Sequence, residues 1–302
     1  MTSTSIKLFD TAESLRRWRS QQLAPGRKIG FVPTMGALHE GHARLLREAR
    51  RDCDELVLSI FVNPTQFGPN EDLAKYPRTF ERDLELARRE GVDAVFAPTP
   101  AVMYPPGYST YVEETRLTQP LCGAFRPGHF RGVTTVVLKL FNLVQPQLAL
   151  FGLKDAQQFF VLDRMTRDLD LDIAVEGVPT VREADGLALS SRNAYLSAED
   201  RAKAPLLYKV LQETAAGLAQ EAAPAESLLT LARERLASGG FKPQYFECLE
   251  LPTLAKAETL SPDKPYLLAT AAFLGSEKPT RLIDNVILRP ELLSRYGVKT
   301  RS

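Results

Sequence analysis

Short apolar runs alternate with amphipathic stretches through the first part of the chain. Runs rich in β-branched and aromatic residues occupy residues 28–33, 55–62, 93–98, 148–152 and 172–178. Helical periodicity marks residues 43–52, 79–90, 133–144 and 157–169. Nearly continuous apolar strands that alternate with helices are typical of a parallel sheet covered on both faces. The pattern therefore predicts an α/β fold with a Rossmann-like parallel sheet, in which ligands bind beyond the carboxyl ends of the strands.

The pattern changes after residue 191. Predicted helices at residues 198–220 and 225–238 precede strand-like runs at residues 244–250, 266–273 and 280–288. Helices followed by a run of strands indicate a separate α+β unit. We therefore predict two domains, residues 1–182 with the parallel sheet and residues 183–302 as a smaller C-terminal α+β domain.

Composition narrows the class of protein. Among 302 residues, 38 Lys and Arg nearly balance 37 Asp and Glu, so no overall field favours nucleic acid or an anionic membrane. Cys53, Cys122 and Cys248 lie far apart and form no CxxC pair, which argues against a disulfide framework or a structural zinc site. No secretory signal or membrane-length apolar run is evident. We expect a soluble, cytoplasmic protein without nucleic-acid or membrane partners.

The strongest candidate for chemistry is PTMGALHEGH at residues 33–42, which follows a predicted strand and opens a helix. Gly36 and Gly41 let the backbone approach a ligand closely, and a helix N-terminus favours phosphate. His39 and His42, three residues apart, lie on one side of such a helix. The segment predicts a nucleotide site. Two alternatives stay open: capping or solvated histidines, and, more weakly, a zinc site, although the spacing is not HExxH.

Other segments carry candidate polar groups at strand ends. Asn63 and Gln66 follow the second apolar run, where neutral amides could fix hydroxyls and carboxylates or simply form a surface loop. Lys154 and Asp155 stand at a strand-to-helix turn. The lysine supplies a point charge for phosphate, while the aspartate either accepts ribose hydroxyls or caps the helix.

Two loops complete the set. Gly128 and Gly132 flank His129 just before an apolar helix, and Arg126 and Arg131 could meet an acidic ligand. The alternative is a structural turn that caps that helix. The segment READGLALSSRN at residues 182–193 contains two serines beside an arginine. Its place at the predicted domain boundary favours a triphosphate clamp.

Several motifs in this order resemble the pantothenate synthetase (pantoate–β-alanine ligase) family of the nucleotidyltransferase superfamily. These are PTMGALHEGH with its HxGH core, SIFVNPTQF, LAKYPRT, RPGHFRGV and VREADGLALSSRN, the last a counterpart of the KMSKS loop. RLIDN at residues 281–285 also fits. The chain departs from the family pattern at Leu153 and Cys122, where an acidic residue is usual, at Thr65, where Met is usual, and at Ala156, where a bulkier residue is common.

The resemblance implies an ATP-dependent condensation of pantoate with β-alanine. The pantoate carboxylate would attack the α-phosphorus of ATP, and the amine of β-alanine would then attack the pantoyl adenylate, releasing AMP and pantothenate. ATP is implied as co-substrate, Mg²⁺ as metal and a homodimer as assembly. The first domain would bind nucleotide and pantoate, and the second would close over the active site. Another nucleotidyltransferase of the superfamily, or a catalytically impaired ATP-binding homologue, is the alternative.

The resemblance also implies roles for individual residues. The catalytic group would be His42, the proton donor, with His39, Lys154, Ser190, Ser191 and Arg192. The ATP-binding group would be Met35, Gly36, Gly41, Gly152, Asp155, Val181 and Leu189. Pantoate and β-alanine would meet Gln66, Gln158, Asn63, Pro33 and Thr34. Asp83 would contribute to the metal site.

Overall fold

Strands and helices alternate along most of the chain in this computed structural model, which describes residues 6–22, 26–68, 71, 73–220, 224–257 and 259–301. The strands are β1 (Lys7–Phe9), β2 (Ile29–Thr34), β3 (Glu55–Ile60), β4 (Ala94–Phe96), β5 (Leu148–Gly152), β6 (Ala174–Val178), β7 (Phe241–Glu250), β8 (Ala255–Lys256), β9 (Tyr266–Leu274), β10 (Thr280–Leu288) and β11 (Lys299–Thr300). The α-helices are α1 (Ala12–Gln22), α2 (Glu40–Arg50), α3 (Phe80–Arg89), α4 (Pro100–Met103), α5 (Cys122–Phe125), α6 (His129–Val144), α7 (Ala156–Asp168), α8 (Ala198–Lys203), α9 (Leu206–Ala219) and α10 (Ala225–Ser238). Short 3₁₀ turns occur at Pro64–Gln66, Leu73–Lys75, Leu153–Asp155, Ser191–Tyr195 and Pro290–Tyr296.

The chain divides into two compact units. The first comprises Met1–Thr115, Arg126–Gly152 and Gln158–Val178. The second comprises Arg116–Phe125, Leu153–Gln157 and Pro179–Ser302. Two short segments of the predicted first domain therefore belong to the second unit. The functional division between residues 1–182 and 183–302 stays a prediction.

Six parallel strands of the first unit follow the order β1-β4-β3-β2-β5-β6. The residues of β2, β3, β4 and β5 are mostly buried, as expected for a sheet covered on both faces, and the predicted α/β class with a Rossmann-like sheet is confirmed. From β2 the chain builds outward through β3 and β4, whereas β5 and β6 lie on the other side of β2. The carboxyl ends of β2 and β5 therefore flank the point where strand order reverses, which is where such sheets bind ligands.

The second unit contains an antiparallel sheet of order β10-β9-β7-β8. Its core joins apolar residues of α9 and α10, such as Leu211 and Leu236, to Phe246 and Tyr266 of the sheet. This arrangement confirms the predicted C-terminal α+β domain type. The helix predicted over residues 198–220 is interrupted at Pro205, because proline cannot donate the backbone hydrogen bond that a helix interior requires.

None of the described helices combines the length and apolar character that a membrane crossing needs. The first strand and helix, β1 and α1, were not predicted. β1 has only three residues, two of them exposed, and so carries no clear apolar run.

Candidate active site

The turn between β2 and α2 is held by a buried carboxylate. Gly36 and Ala37 both adopt positive φ angles, 84° and 51°, so the backbone turns sharply here. Asp83 of α3, only 1% exposed, receives two backbone N–H groups of the turn: Oδ2 accepts from Ala37 at 3.0 Å and Oδ1 accepts from Leu38 at 2.8 Å. The hydroxyl of Thr79 also donates to Oδ1. Asp83, the predicted metal contributor, thus fixes the shape of the turn.

His39 and His42 cap the start of α2 reciprocally. The N–H of Gly41 donates to Nδ1 of His39 at 3.1 Å, and the N–H of His39 donates to Nδ1 of His42 at 3.3 Å. The two rings lie 4.2 Å apart between centroids. Both histidines therefore cap the helix, and their contact with a nucleotide stays a prediction. Because Nδ1 accepts in both rings, each neutral imidazole carries its proton on Nε2, the atom that can donate to an anion.

The end of β2 ties the predicted substrate residues to the sheet. The Thr34 hydroxyl donates to the carbonyl of Ser59 on β3 at 2.8 Å and accepts from the N–H of Gly36. Pro33 precedes it in the same strand, and Met35 follows. The sulfur of Met35 accepts from Nε2 of Gln66 at 3.2 Å. Pro33, Thr34 and Met35 are thus brought to one edge of the sheet together with Gln66.

Gln66 is oriented by Asn63 from within one short 3₁₀ turn. Asn63, 1% exposed, donates through Nδ2 to Oε1 of Gln66 and to the carbonyl of Gly132, both at 3.1 Å. Its Oδ1 accepts from the N–H and hydroxyl of Thr65 and from the hydroxyl of Tyr104. All polar atoms of this amide are therefore bonded within the protein, and the contact of Asn63 with substrate stays a prediction.

Tyr104 is a positioning residue that the sequence did not reveal. Its hydroxyl donates to Oδ1 of Asn63 at 2.8 Å. Burial raises the pKa of Tyr104 to about 12, so the phenol stays protonated and remains a donor at neutral pH. A single tyrosine in a proline-rich stretch gives no pattern from which this contact could have been found.

Gly132 allows helix α6 to approach the Gln66 turn. A Cβ at this position would lie 2.4 Å from the carbonyl oxygen of Thr65 and 2.7 Å from the backbone nitrogen of Gln66. Real side chains do not tolerate such distances, so only glycine fits here. The close contact places the carbonyl of Gly132 where Asn63 uses it.

Arg126, a candidate for binding an acidic ligand, and its neighbour His129 form hydrogen bonds within the first unit. The guanidinium of Arg126 forms two hydrogen bonds of 2.6 Å with the carboxylate of Glu71. Burial pushes the pKa of Glu71 upward, but the hydrogen bonds and charge of Arg126 outweigh it and the pKa is lowered. Nε2 of His129 lies 3.0 Å from Nη1 of Arg126, and Nδ1 of His129 lies 2.8 Å from the carbonyl oxygen of Gln66. The set supports the backbone of Gln66.

Two further predicted residues lie near the second strand end at the point of reversal. Gly152 ends β5 and is half-buried. Gln158, also half-buried, lies in the first turn of α7 and belongs to the first unit.

Lys154 stands on a 3₁₀ turn that the second unit fixes through its backbone. Nδ2 of Asn285 donates to the carbonyls of Leu153 and Lys154, both at 2.9 Å. Asp155 is exposed, and its carboxylate lies 3.7 Å from Nζ of Lys154. Leu153, where the family pattern has an acidic residue, is buried. Asn285 belongs to RLIDN, whose role was not predicted.

The loop that carries Val181 and Leu189 is closed by an ion pair. The N–H of Leu189 donates to the carbonyl of Val181 at 3.0 Å. Arg182 forms a two-pronged contact of 2.6 and 2.9 Å with Asp284 and also donates to the carbonyl of Gly186. Asp284, the fourth residue of RLIDN, thereby orients the segment that leads to the serines.

A cavity in the second unit gathers several predicted phosphate ligands. Ser190 caps the following 3₁₀ turn, its Oγ accepting from the N–H of Arg192 at 3.2 Å. Ser191 begins that turn, and the side chain of Arg192 is exposed. The polar residues of the cavity wall are Lys154, Ser190, Arg192, Asn193, Arg281 and Asp284. Arg281 is the first residue of RLIDN, a segment that fits the family pattern but to which the sequence assigned no role.

No three His, Cys, Asp or Glu side chains form a metal-binding group within the described parts of the chain. Asp83 is occupied by the turn, and the carboxylate of Asp284 is paired with Arg182. The alternative of a zinc site at His39 and His42 therefore finds no support in their surroundings.

The chain is similar to known proteins along most of its length. The model of the family described as Pantoate-beta-alanine ligase matches residues 7–287. A pantothenate synthetase of Shewanella oneidensis is 49% identical over 285 residues, covering 94% of this chain and 98% of the relative. One of Thermotoga petrophila is 49% identical and covers 94% of this chain and all of the relative.

Solved structures give the same picture. A pantothenate synthetase from Thermus thermophilus superposes with a TM-score of 0.84 at 45% identity, covering 93% of this chain and 99% of that one. A pantoate-beta-alanine ligase from Francisella tularensis, described as complexed with beta-gamma ATP and beta-alanine, gives a TM-score of 0.77 at 33% identity. That match covers 93% of this chain and 97% of the other.

Proposed function

We propose that this chain, which belongs to the pantoate-beta-alanine ligase family, joins pantoate to β-alanine through a pantoyl adenylate that it forms with ATP. Ligation of pantoate to β-alanine with use of ATP follows from family membership at this identity and coverage. The adenylate intermediate and the roles of single residues are our proposal.

The observation that carries the chemistry is the start of α2 at the point where strand order reverses. The partial positive charge of a helix N-terminus favours phosphate there. His39 and His42 add two Nε2–H donors whose tautomer the capping bonds fix. We assign both histidines to the phosphates of ATP, His42 as proton donor. Met35, Gly36 and Gly41 supply the backbone that lines the nucleotide.

Gln66 suits recognition of pantoate. Asn63 orients its amide, and this arrangement presents a neutral group that can bond hydroxyls and a carboxylate without opposing the negative charge of the nucleophile. Asn63 acts as the positioning residue. Gln158, Pro33 and Thr34 are assigned to the same substrate, and β-alanine enters beside Gln66.

The second unit supplies positive charge for the triphosphate. Lys154, Ser190 and Arg192 line one cavity, and Ser191 begins the turn that leads from it. Charge-assisted hydrogen bonds to phosphate oxygens become stronger as the α-phosphorus is attacked and pyrophosphate departs. Gly152 and Asp155 are assigned to the ribose, and the backbone of Val181 and Leu189 to the nucleotide.

Magnesium, when bound, neutralises charge on the phosphates. The carboxylate of Asp83 accepts from Ala37, Leu38 and Thr79. This donor set fits a turn clamp better than a metal ligand, so we propose that Mg²⁺ is held chiefly by the phosphates of ATP. The metal role predicted for Asp83 stays a prediction.

We also propose a homodimer in the cytoplasm. The dimer rests on the family resemblance. Three free cysteines, of which Cys122 and Cys248 are buried, are compatible with a reducing compartment. Sedimentation of the purified chain at micromolar concentration tests the assembly, and a monomer would overturn it.

Isotope exchange between ATP and pyrophosphate tests the function. We expect exchange only when pantoate is present, followed by release of AMP when β-alanine is added. Exchange without pantoate would indicate another nucleotidyltransferase. ATP binding with no exchange would indicate the catalytically impaired homologue.

A further inference from the structure

Arg281 lies in the wall of the cavity of the second unit, and among the described residues its side-chain partners include no carboxylate. The residue lies in β10 and forms part of the cavity wall. Its Nε donates to Oε1 of Gln244 at 3.0 Å, and its Nη2 donates to the sulfur of Cys122 at 3.4 Å. Tyr245 also bonds within this group. Across the described ranges, no salt bridge neutralises Arg281.

The residue at position 122 determines whether Arg281 has a charged partner, and in this chain it is a cysteine. Its backbone N–H donates to Oε1 of Gln157 at 3.0 Å, and Nε2 of Gln157 donates to the carbonyls of Leu117 and Pro120. The start of α5 is thus firmly held with the thiol against Arg281. In the family pattern this position is acidic, and a carboxylate here would pair with the guanidinium. The chain places a thiol there instead.

The remaining neighbours of Arg281 do not supply negative charge. Gln244 is an amide, and burial raises the pKa of Tyr245, so its phenol remains neutral. The nearest carboxylate in the cavity wall, Asp284, is held in a two-pronged contact by Arg182. The charge of Arg281, a residue of the cavity wall, is therefore not neutralised by these neighbours.

Three cations share the cavity wall: Lys154, Arg192 and Arg281. Like charges in one partly enclosed site repel, and the arrangement is favourable only when a strongly anionic ligand enters. Arginine presents a planar fork of donors that matches two phosphate oxygens at once. Hydrogen bonds from Nε and Nη2 to the protein fix the plane of this fork.

We propose that Arg281 is a further phosphate-binding residue, which contacts the β- and γ-phosphates of ATP and the pyrophosphate product. This inference rests on the proposed function and deepens it. When the pantoate oxygen bonds to the α-phosphorus, the bond to the bridging oxygen breaks and its electron pair leaves with pyrophosphate. Arg281 stabilises that departing charge together with Lys154 and Arg192.

Binding of inorganic pyrophosphate to the full chain, measured by calorimetry, tests the contact. Arg281→Gln should weaken pyrophosphate binding about 10- to 100-fold, the effect of losing a charged hydrogen-bond donor. Arg281→Lys should recover part of the loss, because it keeps the charge and loses the fork. Arg235→Gln removes an arginine that pairs with Glu213 on the surface, and should leave binding unchanged. Equal binding by wild type and Arg281→Gln would overturn the proposal.

A second pair of variants leaves Arg281 itself in place. Cys122→Glu supplies a carboxylate against the guanidinium, whereas Cys122→Gln has the same size and no charge. We expect Cys122→Glu to bind pyrophosphate about 3- to 10-fold more weakly than Cys122→Gln, with similar midpoints of thermal unfolding. Equal binding by the two variants would contradict the proposal even if Arg281→Gln does not fold.

Pantoate-dependent exchange separates the two levels of inference. Wild-type chain without such exchange would refute the proposed function, while the pyrophosphate comparison would still decide the role of Arg281. Normal exchange in wild type, with unchanged pyrophosphate affinity and unchanged KM for ATP in Arg281→Gln, would refute the role of Arg281 alone.

Discussion

The two groups of proposed site residues are held in opposite ways. Around Gln66 in the first unit, Asn63 is buried and each of its polar atoms is bonded. In the second unit, Arg192 is exposed, and the nearest ionic partner of Lys154 is a carboxylate 3.7 Å away. The residues around Gln66, here called the rigid group, are fixed by hydrogen bonds without a ligand. Lys154 and Arg192 instead form few contacts that neutralise their positive charge.

The difference follows from what each ligand demands. A small hydroxy acid must be placed so that one carboxylate oxygen faces phosphorus, and misplacement by about 1 Å can cost roughly 100-fold in rate. A triphosphate carries several charges and can be attracted by side chains that become ordered on binding. The rigid group therefore suits the positioning of the acid, and the positively charged side chains suit the binding of the triphosphate.

Lys154→Ala should give the largest effect and should separate activity from stability. Removing one charged donor from a phosphate site is expected to cost about 2–4 kcal/mol of transition-state stabilisation. The free energy of unfolding should fall by only about 1 kcal/mol, because the side chain is 19% exposed and lies in a turn outside the main clusters of core residues. Steady-state kinetics and urea unfolding measure the two quantities.

Lys203→Ala is the matched control for that variant. It removes a lysine of α8 that pairs with Glu199 on the surface, and both properties should stay near wild type. Turnover of Lys154→Ala close to that of the control would remove Lys154 from the phosphate site.

Gly132→Ala should disrupt the packing that positions Gln66 in the first unit. The added Cβ meets the Thr65 carbonyl at 2.4 Å, so α6 or the Gln66 turn must move. We expect kcat/KM for pantoate to fall about 100-fold and stability to fall by about 1–3 kcal/mol. Gly217→Ala in α9, where the new Cβ meets only the flexible tip of Leu228 at 3.3 Å, is the control. A normal KM for pantoate in Gly132→Ala would show that the close contact does not position Gln66.

Asp83→Asn distinguishes a turn clamp from a metal ligand. The amide nitrogen cannot accept the N–H groups that the carboxylate now receives, so stability should fall by about 1–3 kcal/mol. The Mg²⁺ concentration that gives half-maximal rate should change less than about 2-fold, since the oxygens serve the backbone. An increase of that concentration with unchanged stability would favour the metal role. Asp168→Asn, at an exposed ion pair of α7, is the control.

The sequence predicted more of the fold than of the contacts between side chains. Apolar runs predicted strands β2 to β7, β9 and β10, because buried strands need them, but not the two-residue strands β8 and β11. Pro205 explains the split helix that periodicity missed. Candidate residues at the strand ends followed from the parallel topology. Partners distant in the chain did not: Asn285 reaches Lys154 across 131 residues, and Tyr104 reaches Asn63 across 41. Such pairings depend on packing, which local patterns do not encode.

The smallest expected effect is the loss of stability at acidic pH that comes from the ion pair between Glu71 and Arg126, next to the backbone of Gln66. The pKa of Glu71 is lowered in the folded chain, where burial opposes and the hydrogen bonds of Arg126 more than offset it. A depressed pKa stabilises the fold above the unfolded carboxyl value, about 4.3, and this contribution is lost as pH falls through the folded pKa.

Urea unfolding of wild type and Glu71→Gln at pH 7 and near pH 3 measures the contribution of that ion pair. Because the pair is partly solvated, we expect Glu71→Gln to be less stable by under about 1 kcal/mol at pH 7, and the difference to disappear at the acidic pH. Glu13→Gln removes an exposed carboxylate paired with Arg17, and should keep the pH dependence of wild type. A difference that persists at the acidic pH would mean that Glu71 supports the Gln66 turn by packing, and that the rigid group needs no charge to hold its shape.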